Sequence, residues 1–258
     1  MGEFEGAGVL VTGGTTGLGR AIAAAFRAYG AAVVVTGRDE RLGAEAAAAL
    51  DVGFVRADAG DPDQVDASVG AALGRLGRLD VLVNNAGIGA VAGVLATPLA
   101  TYDAIMDVNV RGAFRYAQAC FPHLERTGGS MVHVASDAGV SGEAEIAIYS
   151  VSKAALIMLS NMLAIEGGRR GVRSNAVCPG DTAPGMRHMV VPGEDERPDD
   201  PSSWDVPPVG RLGAASDVAE AVRYLASPRA AFVNGAVLLV DGGMRAGSRA
   251  ASPPVTDG

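Results

Sequence analysis

Cysteine, aromatic side chains and clustered positive charge are scarce in this chain, and each scarcity closes off a class of function. Only Cys120 and Cys178 occur among 258 residues, each inside an apolar segment. No disulfide framework is therefore expected, and a reducing, cytoplasmic setting is the default. Lys and Arg number 21 against 29 acidic residues, a formal charge of -8, with no basic run anywhere. Nucleic acid and anionic membrane surfaces are thus not expected as partners. Met1 to Gly6 lack a basic region followed by an apolar stretch, so no secretory signal is read. Gly6 also stands where an N-myristoylation site carries Ser or Thr. No unbroken apolar run reaches the roughly 18 residues of a membrane span. No metal site is read from the sequence.

What remains is rich in Ala, Val and Gly, with 48% hydrophobic residues, a composition that suits parallel strands buried between Ala-rich helices. Apolar runs alternate with helical periods. Strands are predicted at Gly8 to Thr12, Ala32 to Thr36, Gly53 to Ala57, Val81 to Asn84, Met131 to Ala135, Arg173 to Val177 and Ala236 to Val240. Between the first two, Ile22, Phe26 and Tyr29 recur at helical spacing over Gly19 to Tyr29. The expectation is one domain: an α/β, doubly wound Rossmann fold, with about seven parallel strands and helices on both faces. From Pro184 to Pro208 the pattern turns to Pro, Asp and Glu with Met186, Met189 and Trp204 interspersed, and reads as a substrate lid. Residues 245–258 read as a flexible tail or an oligomer contact.

The string from Thr12 to Gly19 closes the first strand and opens the first helix, the context that makes a Gly-rich turn a nucleotide site. Gly13 permits the tight turn, Gly17 admits the pyrophosphate and Gly19 lets helix pack on strand, with Thr15 and Leu18 in the same turn. The helix N-terminus offers free N–H groups to phosphate. After the second strand, Gly37 carries no carboxylate to repel a 2'-phosphate and Arg38 stands ready to bind one, so NADP(H) is favoured over NAD(H). Arg38 could equally be a solvated surface residue. Asp58 is placed to accept from the adenine amino group or to cap a helix, although Asp61 before Pro62 is the better cap. Asn85, Ala86 and Gly87 suit a close backbone approach to the cofactor.

Tyr149 and Lys153 lie four residues apart, so a helix stacks the ammonium near the phenol. A free tyrosine has a pKa of about 10, and lowering it by roughly 3 takes about 4 kcal/mol, which a neighbouring ammonium and a cationic nicotinamide together could supply.

These motifs resemble those of the short-chain dehydrogenase/reductase family, in its single-domain branch. The likeness runs from about residue 6 to Gly243 and takes in Asn109, Ser136, Pro179-Gly180 and the closing Val240-Asp241-Gly242-Gly243. It implies that Tyr149 exchanges a proton with the substrate oxygen while Lys153 supports it and bonds the nicotinamide ribose. Ser136 would hold the carbonyl oxygen. Asn109 would kink its helix and bind a water linking Lys153 to solvent. Duller readings are that Ser136 ends a strand and that Asn109 faces solvent. Where the family often has Thr four residues past the Gly of Pro179-Gly180, this chain has Pro184, so Thr182 becomes the nicotinamide candidate. Substrate contacts are expected from Asp137, Glu143, Glu145, Ile146, Met186, His188 and Trp204.

The function that follows is hydride transfer between a nicotinamide cofactor and a ketone or secondary alcohol of a polar, hydroxylated or amine-bearing small molecule. An idle NADP(H)-binding sensor or scaffold is the reading from another class, and intact Ser136, Tyr149 and Lys153 argue against it. The length leaves little room for the larger substrate domain of the family's epimerases and dehydratases. The Tyr-Lys spacing departs from the longer one typical of its enoyl reductases. The resemblance also implies a homodimer or homotetramer.

Overall fold

The computed structural model describes residues 2–183, 189–190 and 205–247. In chain order these form β1 (Gly8–Val11), α1 (Gly17–Ala28), β2 (Ala32–Gly37), α2 (Glu40–Leu50), β3 (Gly53–Arg56), α3 (Pro62–Leu76), β4 (Val81–Asn84) and β5 (Gly89–Ala90). There follow α4 (Leu99–Met106), a π-helical stretch (Asp107–Gly112), α5 (Ala113–Thr127), β6 (Ser130–Val134), α6 (Ala147–Gly168) and β7 (Arg173–Pro179). Last come β8 (Thr182–Ala183), β9 (Met189–Val190), β10 (Gly213–Ala214), α7 (Ala215–Ala226) and β11 (Val237–Val240).

Seven strands make one sheet in the order β11-β7-β6-β4-β1-β2-β3, every pairing parallel. The period of two along each strand divides the core. Val9, Val11, Val33, Val35, Val81 and Val83 face α1 and α7, meeting Ile22, Phe26, Val218 and Val222. Leu10, Val34, Leu82 and Met131 face the opposite way, toward Val65 and Val69 of α3 and Tyr116, Cys120 and Leu124 of α5. Strands buried on both faces read as continuous apolar runs rather than alternating ones, which is why they stood out in the sequence.

The helix ends follow local chemistry. Asp61 caps α3, accepting from the backbone N–H groups of Asp63 and Gln64, with Pro62 in the first turn. Helix α1 stops one residue earlier than its apolar spacing suggests. Tyr29 caps it instead of continuing its buried face, 37% exposed and stacked under the Arg223 guanidinium at 3.9 Å. By length and composition alone α6 could cross a membrane, with a mean hydropathy of 1.5. It nevertheless packs against β6 and β7 and buries both Tyr149 and Lys153.

The sheet's order reverses between β1 and β4, and in open α/β sheets ligands bind at such a switch point, beyond the carboxyl ends of the strands. Most of the expected lid lies outside the described residues. Within it a short strand does form, β9, whose backbone pairs with β5.

Candidate active site

A cleft of about 1280 Å³ opens at this switch point and runs from the Gly13 turn to Arg245. Gly13 and Gly17 have φ of +61° and +52°, a region open to glycine at little cost. Gly19 is needed for a different reason: a Cβ there would stand 2.2 Å from the Gly13 carbonyl oxygen and 2.5 Å from Asn85 Nδ2. The turn is laced to the end of β4. Thr12 Oγ1 accepts from the N–H groups of Asn85 and Ala86, both at 3.0 Å, and Asn85 Nδ2 donates to the carbonyls of Thr12 (2.9 Å) and Gly13 (3.0 Å). This is a close cradle at a helix N-terminus, the shape and polarity a pyrophosphate requires, and it fits a dinucleotide.

Further along, Asp58 lines the cleft, its Oδ1 accepting from Gly60 N–H at 2.8 Å. Arg38 is exposed at the end of β2, and among the described residues its guanidinium makes no ion pair. The neighbouring Asp39 is turned to capping α2, accepting from Leu42 N–H.

At the far side of the switch point, α6 presents Tyr149 and Lys153. Lys153 Nζ lies 5.5 Å from the phenol ring centroid and donates to the Val134 carbonyl at 2.8 Å. Burial pushes its pKa down to about 8, so the ammonium still carries its proton at neutral pH. Ser136 lies two residues past the end of β6, and its Oγ accepts from Ala138 N–H and donates to Asp137 Oδ1, both at 3.2 Å. Beneath it Cys178 is inert as a nucleophile, its thiol pushed up to about 11 by burial.

Asn109 lies behind this set, fully buried in the π-helical stretch. Its Oδ1 accepts from Ile88 N–H (2.8 Å), and its Nδ2 donates to the Ile88 carbonyl and to Ser152 Oγ (both 2.9 Å). Ser152 Oγ in turn donates to the Tyr149 carbonyl at 2.7 Å. The π-helix and α6 are thereby fixed to the segment that follows Gly87.

The cleft gathers every site residue expected from the sequence that falls within the described residues, apart from Asn109 behind it. Pro179, Gly180 and Thr182 line it, with Thr182 Oγ1 donating to the Gly180 carbonyl at 2.9 Å. Asp137, Glu143, Glu145 and Ile146 line its far end, where substrate contacts were expected. Met186, His188 and Trp204 lie outside the described residues. One residue went unread: Arg245, placed in the tail by the sequence. It reaches back to Asp137 Oδ2 (3.0 Å) and Glu143 Oε2 (3.3 Å). Nothing periodic marks it, and its partners lie more than a hundred residues away.

The family model described as "Enoyl-(Acyl carrier protein) reductase" matches residues 13–245. A solved structure titled "short chain dehydrogenase/reductase family protein" superposes with a TM-score of 0.84 at 37% identity, covering 95% of this chain and 100% of the other. The chain is a short-chain dehydrogenase/reductase. It is similar to 2-(S)-hydroxypropyl-CoM dehydrogenase 3 of Xanthobacter autotrophicus, 39% identical over 92% of this chain and 96% of the relative. The D-threitol dehydrogenase of Mycolicibacterium smegmatis is 35% identical over 93% of this chain and 94% of its own length. This short-chain dehydrogenase/reductase is accordingly a nicotinamide-dependent oxidoreductase acting on CH–OH and C=O groups.

Proposed function

We propose that the enzyme uses NADP(H) to interconvert a ketone and a secondary alcohol on a small neutral or amine-bearing hydroxylated molecule. The convergence of Ser136, Tyr149 and Lys153 on the cleft that begins at the Gly13 turn carries this reading. The cofactor, when bound, supplies or accepts the hydride. Gly13, Thr15, Gly17, Leu18 and Gly19 would hold its pyrophosphate, Asn85 to Gly87 and Pro179 to Thr182 the nicotinamide half, Asp58 the adenine and Arg38 the 2'-phosphate.

Tyr149 delivers a proton to the substrate oxygen in reduction and removes it in oxidation. The Lys153 ammonium, 5.5 Å from the centre of the phenol ring, favours the phenolate, and a cationic nicotinamide would add to it toward the roughly 4 kcal/mol that ionising a tyrosine near neutral pH takes. Ser136 donates its hydroxyl proton to the substrate oxygen as negative charge develops there. Asn109 keeps the pair in register through Ile88 and Ser152.

The substrate end is acidic. Asp137, Glu143, Glu145, Asp181 and Asp205 line it against Arg245, which disfavours anionic substrates and suits polyols or amino alcohols. The threitol dehydrogenase among the relatives is in keeping with a polyol. Exposed Met158, Met162 and Ile165 on α6 and Phe114 on α5 support a homo-oligomer built on these helices. Two free, buried cysteines suit a cytoplasmic setting.

The deciding experiment is a panel of carbonyls and alcohols read by nicotinamide absorbance with NADPH, NADH and their oxidised forms in parallel. Turnover of hydroxylated ketones with NADPH is expected, and Tyr149→Phe should lower kcat by at least about a thousandfold while NADPH still binds. Binding of NADPH with no turnover across the panel would instead point to an idle sensor.

A further inference from the structure

Asp137 occupies an awkward place. It follows Ser136 directly, is 7% exposed, and lies beside the spot where, on the reading above, the substrate oxygen becomes negative. A carboxylate there works against the reaction twice. Its charge repels the developing oxyanion. Its Oδ1 also accepts the one proton that the Ser136 hydroxyl has to give.

Arg245 meets both difficulties. Its Nε donates to Asp137 Oδ2 at 3.0 Å, and the guanidinium is aimed from a fixed base. Arg245 N–H donates to Asp241 Oδ2 (2.8 Å), and Gly243 N–H donates to Asp241 Oδ1 (2.9 Å). A charge-assisted bond at Oδ2 draws the carboxylate's charge toward the guanidinium and away from Oδ1. In keeping with this, the Ser136 Oγ to Asp137 Oδ1 bond is 3.2 Å long, beyond the usual range for a hydroxyl donor. The contact to Glu143 is longer, 3.3 Å, with a side chain 46% exposed; a pair so solvated is worth little.

We propose that Arg245 is a positioning residue for the reaction: by neutralising Asp137 it leaves the Ser136 proton free for the substrate oxygen. The inference rests on the reading of Ser136 as the donor to that oxygen. It also makes Arg245 the member of this set that sets reactivity without touching the reacting atoms.

The test is steady-state kinetics on whichever substrate of the panel is turned over, using Arg245→Ala, Arg245→Lys, Arg245→Ala with Asp137→Asn, and Arg245→Ala with Ser136→Ala. Arg245→Ala should lower kcat about tenfold, with KM and the NADPH dissociation constant within about threefold. Arg245→Lys, which keeps a cation beside Asp137, should stay within about threefold of the parent. Adding Asp137→Asn should restore most of the lost kcat, an outcome that a merely structural role for Arg245 does not produce. In the Ser136→Ala background, Arg245→Ala should cost less than about twofold more, because the two act on one proton. Failure of rescue by Asp137→Asn, or a full additive loss in the Ser136→Ala background, overturns the inference while leaving the role of Ser136 intact. An unimpaired Ser136→Ala enzyme would overturn that role itself, and the inference with it.

Discussion

The two ends of the cleft are built by opposite means. At the dinucleotide end, the turn after β1 and the end of β4 are bound to each other by four hydrogen bonds among Thr12, Gly13, Asn85 and Ala86, none of them involving a charge. At the substrate end, Asp137, Glu143 and Arg245 come from segments 102 and 108 residues apart and are joined by ion pairs. The first arrangement is rigid and insensitive to salt; the second is adjustable. On the roles proposed above, cofactor geometry rests on backbone, whereas substrate choice rests on side chains that can be exchanged.

Among the changes that probe this contrast, the largest effect expected is at the rigid end. In Gly19→Ala the new Cβ meets the Gly13 carbonyl oxygen at 2.2 Å, and backbone has to move. NADPH affinity, by fluorescence titration, should fall about a hundredfold, with a drop in the melting temperature. An unchanged affinity would break the comparison, because the turn would then be as pliant as the ionic end.

Next comes pH. His133 in β6 is fully buried, with Nδ1 3.3 Å from Asn84 Nδ2 beside the dinucleotide turn. Burial pushes its pKa down to about 4 from 6.5. The native state therefore binds fewer protons than the unfolded chain between those values. Its contribution is fully present above pH 6.5 and is lost as pH falls toward 4, up to about 3 kcal/mol. Urea unfolding at pH 7 and pH 4.5 should show this loss in the parent and a smaller one in His133→Gln; equal losses would remove His133 as the cause.

Arg38→Ala should weaken NADPH about tenfold and NADH less than twofold, since only the 2'-phosphate loses a partner. Parallel losses for both cofactors would mean that Arg38 does not read the phosphate. Smallest of all, Glu143→Ala should raise KM for a hydroxylated or amine-bearing substrate about threefold and leave cofactor affinity untouched. Equal turnover of apolar ketones and polar substrates by this variant and the parent would remove Glu143 from substrate selection.

The same contrast decides what could be read from the sequence. The seven strands of the sheet were legible to within two residues at each end, and in β1, β2 and β4 this is because burial on both faces leaves a continuous apolar run, as in Val81–Asn84. The Gly13 turn was legible because its position between strand and helix gives each glycine a separate steric task. Asn109 was named only through resemblance; nothing in Asp107-Val108-Asn109-Val110 announces a π-helix. Arg245 was not legible at all. A guanidinium that folds back onto Asp137 from 108 residues along the chain leaves no local pattern, only two acidic partners that the tertiary structure brings to it.

The π-helical stretch Asp107–Gly112 has a consequence for how this site could be lost. The amide of Asn109 grips both sides of the Ile88 residue, as a strand neighbour would, and it does so from a helix only because that helix is wound wider there than an α-helix. Removing a single residue between 107 and 112 would let the turn relax to ordinary α-helical winding and rotate Asn109 away, with Ser136, Tyr149 and Lys153 all still in place. On the roles proposed above, a chain with all three of those side chains intact could thus be silenced by a deletion of length one, and a count of matching residues would not reveal it.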